Sequence, residues 1–502
     1  MLCLFFSDVR ITLQPDIAFG GARVVIRQIR NKIIDAILLR THRNDVARRQ
    51  LKPRFGELPP EMWGLDVDSA GELCVAGWSV RELAEEHGSP LYIVDEERLK
   101  QNYHDFRAAF TKHYPKIDIG YSYKTNPLPG AIKILHDAGA SAEVISEFEL
   151  WLACELGVPP DRIIFNGPGK TVSSLEKAVS LGVKLINVDS VDEIERINAL
   201  AAQQNRVQAV ALRVVTSQGW SAQFGIPIAG GLALDAFRKM KEASHLDPCG
   251  LHMHLGTGLK DPDTYFKAVQ DMLDLGVELA ESLDIRIRHY DLGGGFGVPT
   301  VKPFEGWDTR LLQSGRPAQL IDPAAAPDIS VYAKGIAKLF AQYVDTADPD
   351  CPEIVLEPGR AVSSSAQMLA VRVLTVKEDE SRRLAIVDGG KNICIPLGYE
   401  YHEILPANKM REPQVQPYDV FGPLCHPNDL LVQGKMFPRL EAGDTLAVMD
   451  AGAYFVPNQR NFSNPRPAAV IVSRGKSRVT RKPERFEHIV ALDADFSPDA
   501  LS

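Results

Sequence analysis

Apolar and polar positions change their period along the chain. From about residue 89, short apolar runs alternate with stretches whose apolar positions recur every three to four residues, as in SSLEKAVSLG (173–182) and SVDEIERINALAAQQ (190–204). That alternation marks parallel strand–helix units. It predicts eight strands: Ile117–Lys124, Ser141–Ser146, Arg162–Asn166, Lys184–Asp189, Val207–Val215, Gly250–Gly256, Ile287–Gly293 and Glu353–Glu357. Eight such units over roughly 250 residues are the size of a (β/α)8 TIM barrel. GSPLYIVDEERL (88–99) reads as a strand and helix that open this domain. After Arg360 the period shortens to that of strands with Pro/Gly turns, as in SSSAQMLAVRVLTVKED (363–379) and LEAGDTLAVMDAG (440–452). The predicted class is therefore α/β, a barrel followed by a C-terminal all-β domain. The expected boundaries are 1–50 for an N-terminal extension, 51–88 for a segment lending strands to the β domain, 89–360 for the barrel, 361–490 for the β domain and 491–502 for a tail.

Composition narrows the function. With 502 residues, 45% hydrophobic and 24% charged, the chain suits a globular protein with a large core. A net charge of −9 disfavours a nucleic-acid partner. The seven cysteines (3, 74, 154, 249, 351, 394 and 425) are odd in number and form no CxxC pair. Reduced thiols of a cytoplasmic enzyme fit them better than a disulfide framework or a zinc site, so no metal is expected. No apolar run is long enough to span a bilayer, so no membrane partner is expected. The first 50 residues carry nine Arg/Lys against four Asp and an amphipathic stretch from Val24 to Arg40. That stretch suits a presequence or a membrane-surface helix, but reads better as a poorly packed basic extension. No cleavage site follows a proper apolar core, which argues against secretion.

In a barrel, chemistry gathers at the C-terminal ends of the strands. Those ends hold Lys124, Glu143 with Ser146, Asn166, Asp189, Arg213, His254, Gly293-Gly294-Gly295, and Glu357 with Arg360. A structural role explains any one of them alone. Their coincidence at predicted rim positions points to a site. The glycine run in DLGGGFG (291–297) lets backbone N–H groups approach a phosphate. In EPGR (357–360), Arg suits a phosphate and Glu a protonated ring nitrogen. A partly desolvated lysine sheds its proton and forms an imine with an aldehyde. Phosphate cradle, carboxylate and lysine are the three handles of pyridoxal 5′-phosphate (PLP), whose ring acts as an electron sink.

The ordered set YSYKTNP, SEFEL, FNGPGKT, VDSVDEI, LR, HMHLGTG, DLGGGFG, EPGR, GPLCHPND and GAY resembles the fold-type III PLP-dependent decarboxylases. The diaminopimelate decarboxylases are nearest, with ornithine and arginine decarboxylases more distant; the resemblance runs over about residues 89–475. It implies the barrel-plus-β architecture shared with alanine racemase, and a homodimer with active sites at the subunit interface. Lys124 would be the Schiff-base lysine and His254 would stack on the cofactor ring. Thr257 stands where the family has a phosphate-binding serine. Arg213 would join the cofactor site, Gly294, Gly295 and Arg360 would hold phosphate, Glu357 would face the pyridine nitrogen, and Tyr454 would touch the phosphate. Cys425 would reach in from the second subunit as the acid that reprotonates the product carbon.

The substrate side departs from the family. His426 follows the cysteine where an Asp or Glu usually holds a distal ammonium. In NICIPLGYEYHE (392–403), Ile395-Pro396 stands where an Arg-Pro would bind substrate carboxylate. Glu143 replaces an Asp and Gln223 a Lys. Tyr401 and Glu403 of that segment, with His426, are expected to contact the substrate. The altered contacts point to an amino acid whose distal group is neutral, anionic or conjugated, such as a siderophore intermediate of secondary metabolism. Decarboxylation of meso-diaminopimelate for lysine biosynthesis is the alternative. An alanine racemase-like activity or a non-catalytic homologue are the others. A carboxylate facing the ring nitrogen favours loss of CO2 over racemisation, and retention of Lys124 and Cys425 argues against a non-catalytic role.

Overall fold

The computed structural model describes residues 58–313, 321–378 and 383–493, with the short pieces 4–6, 9–11 and 36. Apart from Ala36, the amphipathic stretch Val24–Arg40 lies outside the described residues, as does the tail beyond 493.

Eight parallel strands close into a barrel. They are β1 (Ile117–Ser122), β2 (Ser141–Val144), β3 (Ile163–Phe165), β4 (Leu185–Val188), β5 (Gln208–Val215), β6 (Leu246–His252), β7 (His289–Asp291) and β8 (Glu353–Leu356). Each pairs with the next, and β8 pairs with β1, so no edge remains within the ring. The eight expected strands and the TIM-barrel class are found. Strands buried on both faces read as near-continuous apolar runs, which is why the period was visible. Ile164, Leu185, Ala211, Cys249 and Val355, one from each of five barrel strands, form their own fully buried cluster. That is the layered filling of a packed barrel rather than a pore.

The β domain is built on the long strand Gln367–Glu378, which pairs with Arg383–Val387, Thr445–Val448 and Leu91–Asp95. Leu91–Asp95 also pairs in parallel with Ala468–Ser473. The boundary expected at residue 89 is therefore displaced: all five residues of Leu91–Asp95 are buried inside the β sheet. The chain enters the barrel through the helix Glu96–Thr111, whose N-cap Asp95 accepts from the Arg98 N–H at 3.0 Å. Residues before 89 behave differently from expectation too. Asp66–Val67, Leu73–Val75 and Trp78–Ser79 form a small sheet of their own. It is tied to the β domain by the Leu73 N–H donating to the Ala407 carbonyl at 2.7 Å and Trp78 Nε1–H donating to the Ser473 carbonyl at 3.0 Å. No helix of the described residues is long and apolar enough to cross a membrane.

The helix after β2, Glu147–Glu155, shows how local sequence sets the rim. Ser146 caps it by accepting from the Glu149 N–H at 3.2 Å, and Glu149 accepts from the Ile145 N–H at 2.9 Å. That holds the Glu149 carboxyl in the interior, where burial and the nearby Glu143 raise its pKa to about 7. The ordinary carboxyl of the unfolded chain ionises first, so stability falls as pH rises from the unfolded value through about 7. Glu149→Gln is expected to remove the penalty. Its Tm should match the parent at pH 5 and exceed it at pH 8, by the equivalent of up to about 3 kcal/mol. An equal Tm at both pH values would contradict this reading.

Candidate active site

The strand ends deliver the expected side chains to one place. Lys124 sits in the turn Tyr123–Thr125 that ends β1, Glu143 projects from β2, Asn166 follows β3 and Arg213 lies near the end of β5. His254 follows β6, while Glu357 and Arg360 follow β8. Together with Thr257 and Tyr454 they line a cavity of about 330 Å³. A narrow recess opens off it between Thr257, Gly295, Gly359, Arg360 and Tyr454.

Close backbone packing makes the recess. Thr125 fills the space beside Gly359, where any Cβ would collide with its hydroxyl. A Cβ on Gly294 would meet the Glu357 carbonyl, so the glycine run is required by contact between the rims of β7 and β8. Gly295 has a φ of 89° and borders the recess. Gly294 differs from expectation: it packs against Glu357, and its N–H faces His254 Nδ1 at 3.4 Å.

A buried hydrogen-bond chain organises the charges. Lys124 Nζ donates to Glu143 at 2.7 Å, and Asn166 Nδ2 donates both to Glu143 at 2.9 Å and to Glu357 at 2.5 Å. Asn187 Nδ2 donates to the Asn166 side-chain Oδ1 at 2.5 Å and to Asp291 at 2.8 Å. Burial alone would lower the pKa of Lys124, but the carboxylates of Glu143 and Glu357 outweigh it and raise it above the ordinary lysine value. The expected proton loss by desolvation is thus not what this pocket produces: Glu143 holds the free lysine as an ammonium. Glu357 and Asp291 are buried carboxyls that repel as anions. Asp291 is pushed well up by burial and by Glu357, whereas Glu357 is held low, against its burial, by His252 and Lys124. The proton therefore rests on Asp291 and the charge on Glu357. Burial beside Lys124 lowers His254 to about 3, so its ring is neutral at physiological pH and free to stack.

These groups fit PLP. Glu357 Oε2 is buried with no hydrogen-bond partner among the described residues, an open acceptor for a protonated ring nitrogen. The neutral His254 ring borders the same space, and the recess with Arg360, Thr257 and the Tyr454 ring suits a phosphate.

Other residues stand elsewhere. Glu403 was expected at the substrate. It is fully buried and paired with Lys435, and it accepts from the N–H groups of Leu58 at 3.3 Å and Ile404 at 3.0 Å. Its place is in the interior of the β domain, outside the cavity. Tyr401 borders a second cavity and not this one. Cys425 and His426 are exposed and line neither the cavity nor the recess of their own chain.

Sequence reasoning missed Glu400 and His252. In the strand Glu400–His402, alternation sends 400 and 402 to one face and 401 to the other. Glu400 grips Arg360 through two bonds of 2.6 and 3.0 Å and accepts from His402 Nε2 at 3.2 Å. Arg360, whose guanidinium lies 5.2 Å from the Tyr454 ring centre, is thereby fixed before any phosphate arrives. His252 ends β6 with Nε2 3.7 Å from Glu357. The His-x-His spacing carried that signal, since both residues leave the same strand end.

Residues 97–364 match the model of the pyridoxal-dependent decarboxylases, pyridoxal binding domain. The diaminopimelate decarboxylase of Methanothermobacter thermautotrophicus is 31% identical over 438 residues, covering 85% of this chain and 96% of that protein. The enzyme of the same name from Aquifex aeolicus is 30% identical over 439 residues, covering 85% and 96%. The crystal structure of diaminopimelate decarboxylase from M. jannaschii with L-lysine superposes with a TM-score of 0.77 at 27% identity, over 87% of this chain and 99% of that one. The chain belongs to the pyridoxal-dependent decarboxylases, and is a PLP-dependent carboxy-lyase acting on an amino acid.

Proposed function

We propose that the chain removes one α-carboxylate of a diaminopimelate-class amino acid, at a site completed by the Cys425 loop of a second copy. The observation that carries this reading is the intact cavity around Lys124 within a chain similar to diaminopimelate decarboxylases along 96% of their length. When bound, PLP supplies the electron sink that accepts the pair left by CO2.

The chain's own residues do the rest. Lys124 would anchor the cofactor aldehyde, and Glu143, 2.7 Å from Nζ, is placed to take up or return its proton. Glu357, its charge preserved by the protonated Asp291, would accept a hydrogen bond from the ring nitrogen of the bound cofactor. Arg360, Thr257, Gly295 and Tyr454, which line the recess, would hold the phosphate. His254 would cover one ring face, and Arg213, seated 4.2 Å from the Phe224 ring centre, closes the adjoining wall. Cys425 lies on the surface of its own chain, away from this cavity, which supports its delivery to a partner's site as the proton donor to carbon. That arrangement makes the working unit a homodimer and a cytoplasmic setting, with its reduced thiols, a suitable one.

A second reading has its own support. The three carboxylates of the cavity wall are all engaged: Glu143 by Lys124, Glu357 by Asn166 and Glu400 by Arg360. With His426 beside Cys425, no acid among the described residues of the cavity wall is left for a distal ammonium, which favours a diamino acid whose distal amine is acylated or citryl-conjugated. Steady-state rates on meso-diaminopimelate, L-lysine, L-ornithine and N-acylated or citryl-conjugated diamino acids separate the readings. The first predicts kcat/KM for meso-diaminopimelate of about 10⁴ M⁻¹s⁻¹ or more. CO2 release from a conjugate alone would replace it with the second, and racemisation without CO2 release would overturn both.

A further inference from the structure

A cavity of about 590 Å³ lies behind the wall formed by Gly398–Tyr401. Glu400 borders both cavities, Tyr399 only the active-site cavity and Tyr401 only the second. Lys391 is the single cation among the residues that line the second cavity. Its side chain lies over Gly398, with Cε and Nζ each 3.8 Å from the position a Cβ there would take. The lysine is part-buried, and among the described residues no carboxylate pairs with its ammonium. The one other charged group of that lining, Glu400, is already held by Arg360 and His402. Burial pushes the Lys391 pKa below the ordinary value, with Cys394 and Asp429 opposing. An ammonium placed there without a counter-ion is costly, and an entering anion would repay that cost.

The lysine is also coupled to the loop of Cys425. Asp429 accepts from the Lys391 N–H at 2.7 Å and from the Leu424 N–H at 2.8 Å. Its carboxylate packs so closely on Gly390 and Gly422 that neither could carry a Cβ. One buried aspartate thus fixes the lysine's backbone and the cysteine's loop in a single unit.

We propose that Lys391 is the receptor for the distal carboxylate of the substrate, in a cavity that extends the active site behind Tyr399 and Glu400. The proposal rests on the decarboxylase reading above and supplies a cation for the role left empty where Ile395 replaces an arginine. The cations of the first cavity are taken: Lys124 by Glu143 at 2.7 Å, Arg213 by Asp189 at 3.6 Å and Arg360 by Glu400 at 2.6 Å.

The test uses the holoenzyme with Lys391→Met and Lys391→Arg. Its ligands are meso-diaminopimelate, whose distal carboxylate survives in the product L-lysine, and cadaverine, the diamine that remains when both carboxylates are gone. Lys391→Met should raise KM for meso-diaminopimelate about tenfold or more while kcat stays within about threefold. Inhibition by L-lysine should weaken in parallel, inhibition by cadaverine should be unchanged, and Lys391→Arg should restore most of the lost affinity. Equal weakening of meso-diaminopimelate and cadaverine, or an unchanged KM, overturns the proposal. If the parent enzyme does not turn over meso-diaminopimelate, the proposed substrate falls, and Lys391 is then probed with pimelate as inhibitor of whichever amino acid is decarboxylated. Pimelate inhibition about tenfold weaker in Lys391→Met supports the receptor role. Equal inhibition removes it.

Discussion

Lys124→Ala holoenzyme is expected to lose at least about a thousandfold in kcat, because the covalent anchor and the proton carrier vanish together. The loss should be accompanied by loss of the visible absorbance that PLP acquires on a lysine. Glu143→Gln separates the two roles. Without Glu143 the ammonium loses its buried counter-ion, which sits 2.7 Å away, so the lysine's pKa should fall and covalent loading of PLP at neutral pH should quicken. The proton-handling step should slow instead. A Glu143→Gln enzyme that both loads and turns over like the parent would show that this ion pair is only structural.

The second large effect is recovery rather than loss. Cys425→Ala and Lys124→Ala homodimers should each be nearly inactive. Once mixed and allowed to exchange, half of the dimers become heterodimers with one intact site, giving about a quarter of parental activity. The physical basis is position: Cys425 is exposed on its own chain and borders neither the cavity nor the recess. No recovery after demonstrated subunit exchange would place both residues in one chain's site and undo the shared-site reading.

Much of this was legible in the sequence, and the reasons differ by feature. The barrel strands were visible because parallel strands covered on both faces are written as apolar runs. Leu91–Asp95 was visible as a strand but assigned to the wrong domain. A strand whose five residues are all buried carries the same pattern in either sheet, and only pairing with residues some 275 to 380 positions later decides. The rim residues were found because strand ends and glycine turns are local signals. Their charge states were not local. Glu143, 19 positions from Lys124, turns a lysine expected to shed its proton into a firm ammonium. Glu403 looked functional in a Tyr-His-Glu string, yet Lys435, 32 positions on, neutralises it inside the β domain. Glu400 was overlooked because the segment was read as a string rather than as a strand, in which Glu400 and His402 share the face that turns to Arg360.

The central claim is that Lys124 holds PLP in a decarboxylase site, and reductive labelling tests it most directly. Borohydride treatment of the holoenzyme followed by peptide mapping should place the pyridoxyl mass on the YSYKTNP peptide, at Lys124. A label on any other lysine, or none while the cofactor is present, would contradict the account.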